Sequence, residues 1–312
     1  MAWASGTKGT VLRTVDGGAT WTRRPVPGGE TLDFRDIEAF SADDAILMSA
    51  GAGALSRIYE TRDGGERWKL LLENREPQGF FDSIAFWDTR RGLILGDAVG
   101  GSMVVLQTED GGGSWKAGVV PSANEGEGAF AASGTAVVVR PGGRAWFATG
   151  GTGGGRVYRS TDWGRSWQVS QTPVRHASAS SGIFSLAFQD DQRGVAVGGD
   201  YAKPDEDRDN IAFTTDGGRT WTASAEGRPH GFRSAVVCLQ NGVMIAAGSG
   251  GTDVSHNSGR TWEPVGNRGY HALSRTPGGV VWAAGSEGAI AQYAAPLAPA
   301  RGATRSTPTA DS

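Results

Sequence analysis

Short apolar runs closed by glycine recur along the chain: Trp3 to Gly6, Leu47 to Gly51, Leu93 to Gly96, Trp146 to Gly150, Val195 to Gly198, Ile245 to Gly248 and Trp282 to Gly285. Each is too short for a helix, long enough for a buried strand, and ends on a turn signal. A second apolar stretch precedes every run but the first: Ile37 to Phe40, Ile84 to Trp87, Ala136 to Val139, Ile183 to Phe188, Ala235 to Leu239 and His271 to Ser274. Apolar pairs in this order predict hairpins, repeated six times.

An eight-residue polar word punctuates the same pattern six times: Thr14 to Trp21, Thr61 to Trp68, Thr108 to Trp115, Ser160 to Trp167, Thr214 to Trp221 and Ser255 to Trp262. It reads Ser/Thr-x-Asp-x-Gly-x-Ser/Thr-Trp, and its tryptophans stand 41 to 54 residues apart. Such a period belongs to propellers and solenoids. The aspartates, Asp16, Asp63, Asp110, Asp162 and Asp216, are expected to accept backbone N–H groups within a tight turn. The glycine permits positive φ. The tryptophans, Trp21, Trp68, Trp115, Trp167, Trp221 and Trp262, are expected to be largely buried at the bottom periphery. Truncating a buried one costs about 3–5 kcal/mol. Arg67 replaces the hydroxyl residue in the second copy, and Asn257 replaces Asp in the sixth. Asn still accepts the same bonds, so both should turn.

The repeat unit is therefore four strands. Inner strand A is followed by B ending in Gly, then C leading into the word, then D starting at the tryptophan. Seven B strands predict an all-β fold, a seven-bladed β-propeller of four-stranded antiparallel blades. The first blade lacks strand A. The last has A, B and C (Ala289 to Tyr293) and lacks D. One domain is expected over 1–293, with a disordered tail rich in Ala, Pro and Thr over 294–312. A missing inner strand would leave polar backbone along the channel, so residues upstream are expected in the natural protein.

The eight-residue word is that of the Asp-box, or BNR, repeat. On it the chain resembles the sialidase-like β-propeller superfamily over nearly its whole length, and within it bacterial proteins similar to photosystem II stability/assembly factors. The resemblance implies that the boxes are structural turns away from the functional face. It also implies a top-face interaction site for a polypeptide or its cofactor, which the photosynthetic members are thought to form with an arginine-rich patch. Here the candidate funnel is mixed and rather acidic. Sialidases themselves carry an arginine triad, a Tyr–Glu nucleophile pair and an Arg-Ile-Pro motif. This chain has only Phe34-Arg35-Asp36-Ile37 near that motif, and Arg35, Arg156 and Arg233 have no spacing that establishes a triad.

Composition narrows the function further. Fifty glycines in 312 residues, without a collagen period, are turn chemistry. A net charge of −3 with scattered Lys and Arg argues against nucleic acid. No apolar run approaches the ~18 residues of a membrane span. The single Cys238 lies in an apolar stretch and reads as an inert buried thiol. Four histidines and one cysteine exclude a Cys/His zinc site. Asp205, Asp207 and Asp209 alternate like a calcium loop, but Asn210 stands where that loop needs Gly. The glycine run Gly150 to Arg156 lacks a following helix and matches no nucleotide-binding pattern. No metal or cofactor is expected.

In a four-stranded blade, the A–B turns and the boxes share the bottom face. The B–C loops and D-to-A crossovers share the top. Sorting polar residues by this rule gives ligand-binding candidates around one funnel: Asp82, Asp97, Glu125, Glu127, Arg156, Asp200, Tyr201, Arg233 and His271. The longest irregular stretch before an inner strand runs from Asn124 to Ser133 and brings Glu125 and Glu127 to the rim. A non-enzymatic binding or assembly-factor-like propeller is the favoured reading, taking a protein, peptide or glycan at the top face, as a monomer. The alternative is a carbohydrate-active enzyme using funnel carboxylates, which need to stand about 5–10 Å apart. A truncated start would favour a periplasmic or secreted protein, an intact one a cytoplasmic protein.

Overall fold

A computed structural model of the chain describes residues 1–224 and 227–294. Seven antiparallel sheets follow one another around a ring. The five complete blades each run A–B–C–D from the inside outward: Asp33–Ala39 to Lys69–Glu73, Phe81–Phe86 to Lys116–Ala117, Val137–Arg140 to Gln168–Gln171, Ser181–Phe188 to Thr222–Ala223, and Ala235–Cys238 to Glu263–Gly266. Blade 1 has three strands, beginning with Ala2–Gly6, which is a B strand. Among the described residues blade 7 has three, Ala272–Arg275, Val280–Ala284 and Ile290–Ala294. The blade count and both incomplete ends agree with the repeat pattern. The expected tail beyond Ala294 lies outside the described residues.

Strands A and B of blades 3, 5 and 6 and strand B of blades 2 and 4 are largely buried because each blade is packed between two others. Ala45–Ala50 and Ser181–Phe188 are buried at every position. The core is accordingly divided into layers between blades rather than gathered in one centre. Trp146 and Val157 of blade 4, for example, pack with Ile183, Leu186 and Ala196 of blade 5.

The turn word explains how the layers are held. In all six copies the first hydroxyl accepts the N–H of the fifth residue, glycine, at 2.8–2.9 Å. In blades 1, 3, 4 and 5 the aspartate takes the N–H of the seventh residue on Oδ1 and its hydroxyl on Oδ2. Arg67 fills the second role with its Nε at 2.8 Å from Asp63. Asn257 keeps the pattern by reversing one bond, donating its amide to Thr261 Oγ1 at 2.8 Å.

The word also reaches outward. In blades 2 to 6 its fourth residue donates its N–H to a carbonyl of the same blade's A–B turn, at 2.8–2.9 Å. The fifth residue, glycine in every copy with φ from 78° to 92°, lies flat against the preceding blade. A Cβ there would come within 2.2–3.2 Å of Trp282, Arg24, Leu71, Gln107, Trp146 or Val195, respectively. Blade 1 docks on blade 7 by the same device. Trp21 meets Trp282 edge to face at 5.6 Å, and Gln292 donates to the Gly17 carbonyl at 2.7 Å.

Around the channel, inner strands are stitched by side chains. Asp36 accepts the Ile84 N–H at 2.9 Å, Ser83 donates to the Gly134 carbonyl at 2.7 Å, and Thr135 and Ser185 share a hydrogen bond of 2.6 Å. Ser185 accepts the Val236 N–H, and Ser234 donates to the His271 carbonyl, both at 2.9 Å.

One expectation needs correcting. Trp167, Trp221 and Trp262 are buried, but Trp21, Trp68 and Trp115 are only half-buried. Three indoles return their N–H to the box glycine carbonyl (Trp115, Trp167 and Trp262, at 2.9–3.1 Å), so the ring clamps its own turn as well as covering the core.

The box carboxylates make acid sensitivity predictable. Hydrogen bonds from the seventh residue hold Asp63 and Asp110 down to about 2 and Asp16 well below the usual range. A carboxyl with a depressed folded pKa contributes stability above its unfolded value, ~3.9, and loses it as pH falls through the folded value. Urea midpoints should therefore fall between about pH 4 and 2, and Asp110→Asn should make that limb shallower. An unchanged acid limb in the variant would refute the assignment.

Candidate binding site on the top face

The crossover from blade 3 into blade 4 is a strap laid over the top of the ring. Its Glu127–Gly128 pairs antiparallel with Gly150–Gly151, and Gly150 pairs in turn with Gly182 of blade 5. The Ala129 N–H reaches Asp97 of blade 3 at 2.8 Å, and the Ala131 carbonyl accepts from Arg35 of blade 2 at 3.3 Å. Phe130 stacks on Phe184 of blade 5, centroids 3.8 Å apart. Gly150 and Gly182 make room for that ring, since a Cβ on either would run into Phe130. The glycine run that matched no phosphate cradle is thus the bed of the strap. One segment touches four blades.

Glu127 is the strap's anchor. Its carboxylate has no exposure and accepts from Thr149 Oγ1 at 2.6 Å, the Asn124 N–H at 2.8 Å and Arg156 Nε at 3.0 Å, with a second close contact to Arg156 Nη2. Arg156 also lies over the Tyr158 ring and donates to its hydroxyl at 2.6 Å. Burial first, then the Glu127 charge, pushes the Tyr158 hydroxyl's pKa upward. Glu127 and Arg156 come together as a closed pair. Glu125, two residues away, is exposed.

Asp82 and Asp97 form a second group. The inner strands of blades 2, 3 and 5 each slip register by one residue, at Arg35, Asp82 and Phe184. A bulge of this kind re-aims the extra side chain. Asp82 is 2% exposed and its Oδ2 is buried without a hydrogen-bond partner. Burial, then the charge of Asp97, raises its pKa well above the ordinary value. Burial raises Asp97 too, against the opposing Ala129 N–H. On the inner strand of blade 2, burial lifts Asp36 to about 7, and burial with the neighbouring Asp36 charge lifts Glu38 to about 8.

The remaining candidates spread further round the ring. Burial raises Asp200, but bonds from Ser180, the Ala202 N–H and Ser178 outweigh it, so its pKa is lowered overall. Tyr201 is 55% exposed and stands edge-on to Phe130 and Phe184, at 6.4 and 6.1 Å. Phe184 meets Phe232 edge-on at 4.7 Å. Arg233 is buried, its Nε 2.6 Å from Asp253, which also accepts from His230 Nδ1 at 2.9 Å. His271 is exposed, with Nε2 2.8 Å from Ser286 Oγ. The strap therefore gathers Asp97, Glu127, Arg156 and Tyr201, with Asp82 near enough to Asp97 to feel its charge and Asp200 adjoining Tyr201. Arg233 and His271 sit on blades 6 and 7 with partners of their own.

Sequence reasoning missed Asp253 and His230, which lie in a C strand and a crossover with no distinguishing pattern. It also missed Phe130 and Phe184 as a stack. Phe184 is one of several apolar residues in its run and Phe130 a lone ring in an irregular stretch, and only their meeting across 54 residues of chain marks them. Among the described residues no group of three or more His, Cys, Asp or Glu side chains is placed to hold a metal ion. No described helix is long and apolar enough to cross a membrane.

These features define a seven-bladed β-propeller with a strap across its top face. No protein-family model matches the chain, and no curated relative does. Solved structures do. YCF48 from Cyanidioschyzon merolae matches at a TM-score of 0.63 and 19% identity over 93% of this chain and 90% of that one. YCF48 bound to a D1 peptide matches at 0.53 and 19% over 93% and 81%. An ancestral GH74 enzyme matches at 0.64 and 15%, over 90% of this chain but 41% of that one. At these identities the likeness is one of fold.

Two measurements check the electrostatics. An acid with a raised folded pKa contributes stability while protonated, fully below its unfolded value, and loses it as pH rises through the folded one. Asp36 and Glu38 should therefore lower stability between about pH 4 and 8, and Asp36→Asn with Glu38→Gln should flatten that decline. Stability that climbs steadily across this range in the parent would contradict the assignment. Arg156→Ala should cost about 3–5 kcal/mol, because it leaves Glu127 buried and unpaired. A loss below ~1 kcal/mol in urea titration would show that the pair does not anchor the strap.

Proposed function

We propose that this propeller is a binding protein that takes a polypeptide segment on its top face, anchored on the aromatic cluster of Phe130, Phe184, Tyr201 and Phe232. The observation that carries the reading is Tyr201, an exposed ring backed by two phenylalanines. Aromatic side chains held rigidly against others dominate protein interfaces, since they bury large area at little entropic cost. Around it the charged groups that would do chemistry are committed elsewhere: Glu127 to Arg156, Asp200 to its serines, and Arg233 to Asp253. YCF48, a ring of the same fold, has been solved with a D1 peptide bound, which supplies a precedent for peptide binding by such a ring.

The second reading, a glycoside hydrolase, rests on Asp82 and Asp97, two neighbouring acids with raised pKa. A general acid must touch the glycosidic oxygen. Asp82 is 2% exposed, so it has no such access. Binding is the better reading.

A display library of linear peptides screened against the protein, beside hydrolysis assays on β-glucan and sialoside panels, separates the two. The expected result is a peptide family whose affinity falls ~10-fold or more, about 1.4 kcal/mol, on Tyr201→Ala. Turnover of any glycan that depends on Asp97, with no peptide bound, would reverse the conclusion.

A further inference from the structure

We propose that the groove between blades 6 and 7 is a docking site for an extended segment of a partner polypeptide, which adds a fourth strand to blade 7 and inserts an aromatic side chain against blade 6. The site is separate from the top-face cluster and does not rest on it. The ring itself shows what fits. Among the described residues, six of its seven layers between blades hold a box tryptophan. Trp68, Trp115, Trp167, Trp221 and Trp262 each pack between their own blade and the one before, and Trp21 meets Trp282 of blade 7. The layer between blades 6 and 7 is built from Ala, Val, Leu, Ile and Tyr, because blade 7 carries no box.

A recess of about 260 Å³ stands in that layer. Its position matches the tryptophan's. Trp262 shares its layer with Val195 of blade 5 and with Met244 and Ala246 of blade 6. Counted back from the glycine that closes each B strand, the residues one blade further on are Ile245, Val281 and Ala283, and all three line the recess. The volume is below the ~300–1,000 Å³ of a small-molecule site, so one large side chain suits it better than a free ligand. Val265 and Tyr293, also in its lining, are 56% and 38% exposed, which leaves the recess open to solvent.

A strand edge runs beside it. In blades 1 to 6 the C strand pairs with B on one side and D on the other, whereas among the described residues Ile290–Ala294 pairs only with Val280–Ala284. The outer N–H and C=O groups of such an edge are a template for an added strand. Ala291 and Tyr293, at alternate positions of that edge, both line the recess. A strand paired there turns every second side chain toward the same space. Charge adds a preference, since Arg268 lines the recess, stands over the Tyr270 ring at 6.0 Å and has no ion pair among the described residues. The fitting segment is therefore extended and aromatic, with Asp or Glu beside the ring. Residues 295–312 do not meet that description, having no aromatic residue and three prolines, which cannot donate to a ladder.

The probe is a synthetic peptide of the chain's own sixth box and D strand, residues 255–266, in which Glu263 follows Trp262. It is titrated calorimetrically against the whole protein beside its Trp262→Ala form. The tryptophan form is expected to bind about ten-fold tighter or more, the scale of a buried interface aromatic, and to slow hydrogen exchange at the Ile290–Ala294 amides. In the protein, Ala291→Trp should fill the recess from within and abolish the preference, and Arg268→Ala should weaken binding about two- to five-fold. The exchange readout on the parent needs no variant. Equal binding of the two peptides, or binding that leaves Ile290–Ala294 unprotected, would overturn the site. Protection of that edge without peptide would also overturn it, by assigning the groove to a second copy if it rose with protein concentration, or to the chain's own tail if it vanished on removing residues 295–312. Each of these outcomes leaves the Tyr201 test unaffected.

Discussion

Blades 1 to 6 of this ring are each held to the one before by a turn that a hydroxyl, a carboxylate (the Asn257 amide in blade 6) and a glycine close together. The hydroxyl and the carboxylate saturate the turn's N–H groups, so the loop keeps its shape without a helix or long strand to support it. The glycine then presents bare backbone to the neighbouring blade, in a left-handed conformation that a Cβ would strain even if there were room. Everything at the opposite face depends on this, because the top loops keep a fixed distance only if the blades do not slide. That blade 1 meets blade 7 through the same glycine, at Trp282, means the ring closes by its ordinary interface despite the three-stranded blades on either side.

The top face is governed by a different balance. Charged groups are crowded there, and most of the crowding is resolved internally. Glu127 and Arg156 neutralise each other in a buried pair, which is weak evidence of net stability but strong evidence of a fixed geometry, since neither charge can be left alone. They tie the strap to blade 4, the Phe130–Phe184 stack ties it to blade 5, and Asp97 ties it to blade 3. Among the described residues this leaves Tyr201 exposed on an aromatic base, and Asp82 Oδ2 and Asp33 Oδ1 buried without a donor.

Two sets of carboxyl groups also respond oppositely to pH. The box aspartates are ionised and hydrogen-bonded, so acid weakens them. Asp36 and Glu38 are kept partly neutral by burial, so base weakens them. A single chain thus carries both signs of linkage.

Strand order, blade number, both incomplete ends and the turn geometry were legible in the sequence, because each is local. A word of eight residues contains all the donors and acceptors of its own turn, and a period of apolar runs contains its own topology. The candidate site was legible only in part. The rule that crossovers and B–C loops share a face found Asp97, Glu127, Arg156 and Tyr201, which the strap does gather. It could not say that Glu127 would be spent on Arg156, or that Asp82 would be left without a partner, since both depend on which side chains meet across blades. Phe130 and Phe184 show the reason most plainly. Neither breaks any local pattern, and they stack because a bulge on one strand and a glycine bed beneath another bring them together. Sequence alone set the ring, through interactions between near neighbours in the chain. Tertiary structure decided which of its charges are satisfied and which are available, because hydrogen bonds and burial are settled by distance in space.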